Sequence, residues 1–140
     1  MKFVDASVFV HAFIKPKREL KPFELEIKNN AKGIVRRIRD GEEVCMTVIQ
    51  LAEIANLLEN NLTLEEAFEV EEFLLFSENI KLYGVSKADC LKAVSVAKQN
   101  SIGLSDAIAY VLMLKNGVNE IYSFDRDFDK LGVKRVEMII

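Results

Sequence analysis

The chain has one histidine, two cysteines and no apolar stretch of bilayer length among its 140 residues. Its longest uninterrupted apolar run, Ala107 to Leu114, falls well short of the ~20 residues a membrane-spanning helix needs, so a soluble protein is expected. The opening residues, Met1-Lys2-Phe3-Val4-Asp5, reach an acid before any apolar stretch of signal-peptide length, which predicts a cytoplasmic address. Cys45 and Cys90 lie far apart with no second Cys or His at metal-ligand spacing. That excludes a zinc knuckle or a redox dithiol and predicts two buried free thiols. The lone histidine, His11, stands among Phe9, Val10, Ala12 and Phe13, a poor setting for a nuclease built on a histidine base. A net charge of -3 excludes a general polyanion binder, although local basic patches remain open to nucleic acid. Linkers, repeats and low-complexity segments are also missing, so one domain over 1–140 is expected. A chain of this length buries about two thirds of its unfolded surface.

What is present is an alternation of short apolar runs with longer stretches of helical period. A strand is predicted at Lys2 to Val4, a helix at Ser7 to Phe13, a Lys/Pro loop through Pro22, and a helix ending at Asp40-Gly41. Strand Val44 to Thr47 leads into helix Val48 to Asn60, and Thr63 with Glu66 has capping-box spacing for a helix to Ser77. Strand Ile80 to Val85 follows, then Ser86 with Asp89 at the same spacing, a helix to Asn100, a break at Gly103 and a helix through Lys115. The chain closes with strand Glu120 to Phe124, a helical turn at Phe128 to Leu131, and strand Arg135 to Ile139. Strands separated by helices predict an α/β fold with a mainly parallel sheet between helical layers.

Four acids fall where such strands end or the following helices begin. Asp5 closes Lys2-Phe3-Val4 and Asp125 closes Ile121-Tyr122-Ser123-Phe124. Glu53 lies with Gln50, Asn56 and Asn60 on one narrow polar stripe of an otherwise apolar helix, and Asp106 stands just inside the start of a strongly apolar one. Each alone has an ordinary structural role: a helix cap for Asp5, an exposed stripe for Glu53, a dipole partner for Asp106, a solvated turn for Asp125. Together they share one sheet edge, where open α/β sheets place ligands, and carboxylates gathered there repel one another unless a cation binds. Hard ions such as Mg2+ or Mn2+ favour such oxygen ligands.

The motifs Phe3-Val4-Asp5-Ala6-Ser7, Leu51-Ala52-Glu53-Ile54, Gly103-Leu104-Ser105-Asp106-Ala107 and Tyr122-Ser123-Phe124-Asp125-Arg126-Asp127-Phe128 resemble, in order and spacing, those of the PIN-domain ribonucleases. The resemblance covers essentially the whole chain. It implies a five-stranded parallel sheet in a three-layer α/β/α sandwich, and a Mg2+- or Mn2+-dependent endonuclease acting on RNA. Asp5, Glu53, Asp106 and Asp125 would be the catalytic, metal-binding carboxylates, with Asp127 and Asp89 as outer contributors and Ser7 and Ser123 as supports. Small members of this kind resemble VapC-type toxins, which dimerise and are silenced by an antitoxin protein. The helix Thr63 to Ser77 carries Phe68, Phe73, Leu74, Leu75 and Phe76, more apolar surface than one core-facing stripe requires, so part of it is expected to form a dimer contact.

An acidic pocket still has to attract a polyanion. Lys15, Lys17, Arg18 and Lys21, after the first helix, are the expected RNA contacts, and Arg36, Arg37 and Arg39 form a second basic cluster. Dehalogenase-type phosphatases also end a first strand in Asp but need a second Asp two residues on, where this chain has Ser7. Receiver domains want a phosphoacceptor after the third strand, which here ends in Gly84-Val85-Ser86. A PIN-like scaffold without catalysis, binding RNA or protein, is the rival from another class.

Overall fold

A computed structural model describes residues 1–139. Five strands, β1 (Lys2–Val4), β2 (Val44–Thr47), β3 (Ile80–Tyr83), β4 (Glu120–Tyr122) and β5 (Lys134–Val136), form one sheet in the order β3-β2-β1-β4-β5 with every pairing parallel. Six α-helices connect them: α1 (Ala6–Phe13), α2 (Pro22–Arg39), α3 (Val48–Asn61), α4 (Leu64–Phe76), α5 (Lys87–Asn100) and α6 (Leu104–Lys115), with a 3-10 turn at Arg126–Lys130. The α/β architecture is the expected one. No helix among the described residues is long and apolar enough to cross a membrane.

The chain starts in the middle of the sheet, steps outward through β2 to β3, then returns past β1 to lay down β4 and β5. The direction of winding therefore reverses between β1 and β4, and a crevice opens outside their carboxyl ends at that point. Phe3, Val4, Val44, Cys45, Met46, Ile121 and Tyr122 are buried together with Phe9, Ile34, Ile38, Ile54 and Leu58 from the helices. A second apolar cluster, Ala93, Ile102, Ala107, Ile108, Val111 and Leu112, joins α5 to α6. This packing fixes α6 and hence the residues of its first turn. Cys45 is buried and Cys90 only partly so; both thiols are free.

Several boundaries differ from those expected. Pro22 is the first residue of α2 rather than the end of a loop, since a helix start has no use for the missing N–H and Pro brings the right φ. Helix α1 begins at Ala6 because Asp5 itself caps it. Strand β3 stops at Tyr83: its ladder runs Val44↔Ile80 to Thr47↔Tyr83, and β2 offers no partner for Gly84 or Val85. Likewise β4 ends at Tyr122 and β5 at Val136, the last rung of a three-residue ladder. The capping boxes are as read. Thr63 and Glu66 exchange bonds at the start of α4, and Ser86 and Asp89 do so at the start of α5.

Candidate active site

Asp5 leaves the central strand β1 and ends up 4% exposed, its backbone N–H donating to Tyr122 O at 3.0 Å. One carboxylate oxygen, Oδ2, accepts from Ser7 Oγ at 2.7 Å and from Ser123 Oγ at 2.8 Å. These hydroxyls are themselves anchored: Ser7 Oγ accepts from Phe124 N at 3.0 Å and Ser123 Oγ from Asp125 N at 2.9 Å. Two serines thus lock the end of β1 to the chain leaving β4. Burial pushes the Asp5 carboxyl above its ordinary range, and the two hydroxyl bonds oppose that rise.

Glu53 comes from the middle of α3, where Oε2 accepts from Ser105 Oγ at 3.1 Å. Burial raises its pKa, Ser105 opposes, and the charges of Asp5 and Asp125 add to the rise. Asp106 occupies the third position of α6, after the cap Gly103. Its pKa is pushed up to about 7, first by burial and then by the negative charges of Asp5, Asp125 and Glu53. Asp125 caps the 3-10 turn, its Oδ1 accepting from Asp127 N at 2.9 Å. All four acids line one open cavity of about 310 Å³.

Among the described residues, the acids close enough together to share one ion include Asp127 as well as two of the expected four. One carboxylate oxygen from each of Asp106, Asp125 and Asp127 lies within 4.8 Å of the other two. Asp127 also pairs with Lys130 at 3.2 Å. Asp89 is not brought to the site: it caps α5 and pairs at 3.4 Å with Lys115, the last residue of α6, while Asp106 stands in that helix's first turn. Nine residues of helix separate the two, about 14 Å of rise.

Three further residues belong to the cavity or its support. His11, set aside on sequence grounds, stands in the cavity wall with its ring edge-on to Phe124 at 5.2 Å between centroids. Burial, then the Lys28 charge, lowers its pKa and keeps the imidazole neutral at pH 7. Ser105, which holds Glu53, is in turn fixed through its carbonyl by Gln50 Nε2 at 3.2 Å. Gln50 is buried and bonded to Thr47, forming a capping box that orients the first turn of α3. The Thr-x-x-Gln spacing at 47 and 50 carries that signal in the sequence.

Of the expected basic contacts, Lys15 and Lys17 line a groove beside the cavity. Arg18 is instead committed to Glu24, with bonds of 2.8 and 2.6 Å, and Lys21 is exposed at the start of α2. The second cluster divides as well: Arg36 and Arg39 line a shallow groove with Lys32, whereas Arg37 pairs with Glu42.

One buried and three half-buried carboxylates, with burial first and mutual repulsion second raising the pKa of Asp5, Glu53 and Asp106, form a donor set that fits a hard divalent cation. The PIN domain family matches residues 2–134. The chain belongs to the PIN-domain family. Its PIN fold superposes on the crystal structure of Mycobacterium tuberculosis VapC20, described as a sarcin-ricin loop cleaving toxin, with a TM-score of 0.76 at 20% identity over 99% of this chain and 98% of that one. A toxin-antitoxin complex from Klebsiella pneumoniae gives 0.62 at 11% identity, covering 91% and 90%. VapBC2 from Rickettsia felis, bound to a DNA fragment from its promoter, gives 0.64 at 11% identity, covering 99% and 98%. At these identities the likeness to the three structures is one of fold. No curated protein sequence matches this PIN domain significantly.

Proposed function

We propose that this PIN domain is a Mg2+- or Mn2+-dependent endoribonuclease that hydrolyses RNA phosphodiesters as the toxin of a toxin-antitoxin pair. The observation that carries the proposal is the acidic cavity at the switch point, where burial first, and then three other carboxylates, push the Asp106 pKa up to about 7. Asp5, Glu53, Asp106 and Asp125 would hold the ion, with Asp127 adjoining through Asp106 and Asp125. A bound Mg2+ or Mn2+ supplies Lewis-acid activation of water and screens the charge of the phosphodiester.

The chain's own contribution is placement. Ser7 and Ser123 fix one oxygen of Asp5 and leave Oδ1 free to face the cavity. Ser105 orients Glu53 from the neighbouring helix start, so the ligands are aimed before substrate arrives. Lys15 and Lys17 offer RNA contacts along the adjoining groove, with Lys21 more remote and Arg18 already neutralised by Glu24. A cytoplasmic location, where RNA is met, is part of this proposal. The outer face of α4 supports a homodimer: Leu64, Phe68, Leu75 and Phe76 are all exposed, Phe76 at 78%, whereas Phe73 packs against the core and Leu74 is buried within it. An antitoxin partner is proposed from the toxin-antitoxin complexes that share the fold.

Isothermal titration with Mn2+ tests the ion site, with binding heat expected for the wild type and lost in Asp5→Asn. Equal heats in both proteins would remove the metal from the proposal and favour a non-catalytic scaffold. The cleavage products should carry 3'-hydroxyl and 5'-phosphate ends, because water attacks. A 2',3'-cyclic phosphate would point instead to His11 acting as a base on the RNA 2'-hydroxyl, and the proposed chemistry would fall.

A further inference from the structure

The most isolated charge in the fold is a cation. Lys28, on α2, is only 7% exposed, and its Nζ donates to the backbone carbonyls of His11 at 3.0 Å and Ile14 at 3.2 Å, closing the end of α1. An ammonium has three donors, so one remains. No carboxylate lies within ion-pair distance of it among the described residues; Glu24, on the same groove, has both oxygens held by Arg18. A buried charge without a counter-ion is costly, since neutral carbonyls return only part of the lost hydration. The neighbouring charges make matters worse: besides burial, Lys32 and Lys15 push the Lys28 pKa down.

This ammonium lines a groove of about 540 Å³ that Lys15 and Lys17 also line. The groove adjoins the acidic cavity, since Val10 and His11 line both. Its remaining lining mixes apolar Ile14, Leu20 and Ile27 with Asn61 and the Arg18-paired Glu24. A strand whose scissile bond lies among the carboxylates has to run its neighbouring phosphates past one side of α1, and this is the side where cations lack partners.

We infer that Lys28 forms the floor of an anion subsite that takes a backbone phosphate of single-stranded RNA beside the scissile bond, with Lys15 and Lys17 guiding the strand from the rim. The inference rests on the proposed action on RNA and names where the strand is gripped. A phosphate here accepts the third N–H of Lys28 and supplies the missing counter-charge. Lys28→Met keeps the apolar stem and removes only the charge; Lys28→Arg keeps the charge.

The test is binding of a fluorescent single-stranded oligoribonucleotide to the Asp106→Asn protein in EDTA, followed as a function of salt. Lys28→Met in that background should bind about tenfold more weakly at low salt. The slope of log K against log salt should fall by about 0.7, the value for one phosphate contact on a single strand, while Lys28→Arg retains it. An unchanged slope in Lys28→Met overturns the inference. Because Lys28 also closes α1, an independent readout on the unsubstituted lysine is needed. The Lys28 Cε–Hε NMR resonance should shift on adding the oligoribonucleotide; if polyglutamate shifts it and RNA does not, the subsite serves an acidic peptide and the inference is wrong. Cleavage by the wild type with Mn2+ is scored separately, so loss of the nuclease reading and loss of this subsite give different results.

Discussion

Replacing Asp106 with asparagine should stabilise the metal-free protein above neutral pH. The carboxyl is raised from 3.8 to about 7 by burial and by the charges of Asp5, Asp125 and Glu53. A raised folded pKa in an acid means that the folded state prefers the protonated form. Stability contributed by that proton is complete below pH ~4 and is lost as pH climbs through ~7. The displacement of about three units corresponds to about 4 kcal/mol at 1.36 kcal/mol per unit, and the open, solvated side of the cavity screens this to about 1–2 kcal/mol. Asparagine removes the repelled charge at similar volume, at the expense of a helix-dipole contact worth ~0.3–1 kcal/mol. For a chain of this length a net gain near 1 kcal/mol moves the melting temperature by about 3 °C. The assay is thermal unfolding in EDTA at pH 8 and pH 5. Asp106→Asn should melt higher than the wild type at pH 8, and the gap should narrow at pH 5 and close below pH ~4. A variant that melts lower at pH 8, or a gap that does not narrow on acidification, refutes the repulsion argument.

Ser123→Ala should cost about 1–3 kcal/mol while the buried Asp5 is ionised, because its carboxylate loses a donor; urea unfolding should show the loss shrinking as pH falls and Asp5 gains a proton. Phe76→Lys should convert the proposed dimer to a monomer in sedimentation while changing the monomer's stability by less than about 0.5 kcal/mol, since the residue is 78% exposed in its own chain. Asp89→Asn should cost about 0.5–1 kcal/mol through its cap and leave RNA cleavage at wild-type rate; slowed cleavage would return Asp89 to the site. Ile54→Ala, in the core behind Glu53, should cost about 2–5 kcal/mol by calorimetry.

The sequence exposed the order of strands and helices because apolar runs, capping boxes and Asn-Gly stops are local signals. Asp5 and Asp125 could be placed at strand ends for that reason, and Asp106 in a first helical turn. What stayed hidden depends on contacts between distant segments. The length of β4 and β5 is set by each other's ladder, which no single run records. His11 looked like a core residue because its own helix is apolar, yet only the approach of Phe124 and α3 makes a cavity wall of it. Ser105 and Gln50 meet across α3 and α6, a pairing of residues far apart in the chain. Asp89 shows the converse: its spacing to Ser86 announced a cap, and a cap is what it forms.

The reversal of winding between β1 and β4 also has a temporal side. During translation β1 emerges first, but the neighbour that flanks it at Tyr122 and the serine that clasps Asp5 at Ser123 leave the ribosome more than a hundred residues later. A nascent chain stalled before that point has β1 paired on one side only, with β2, and lacks Asp125 of the four carboxylates. The full set of four carboxylates therefore comes together only after synthesis has passed Asp125.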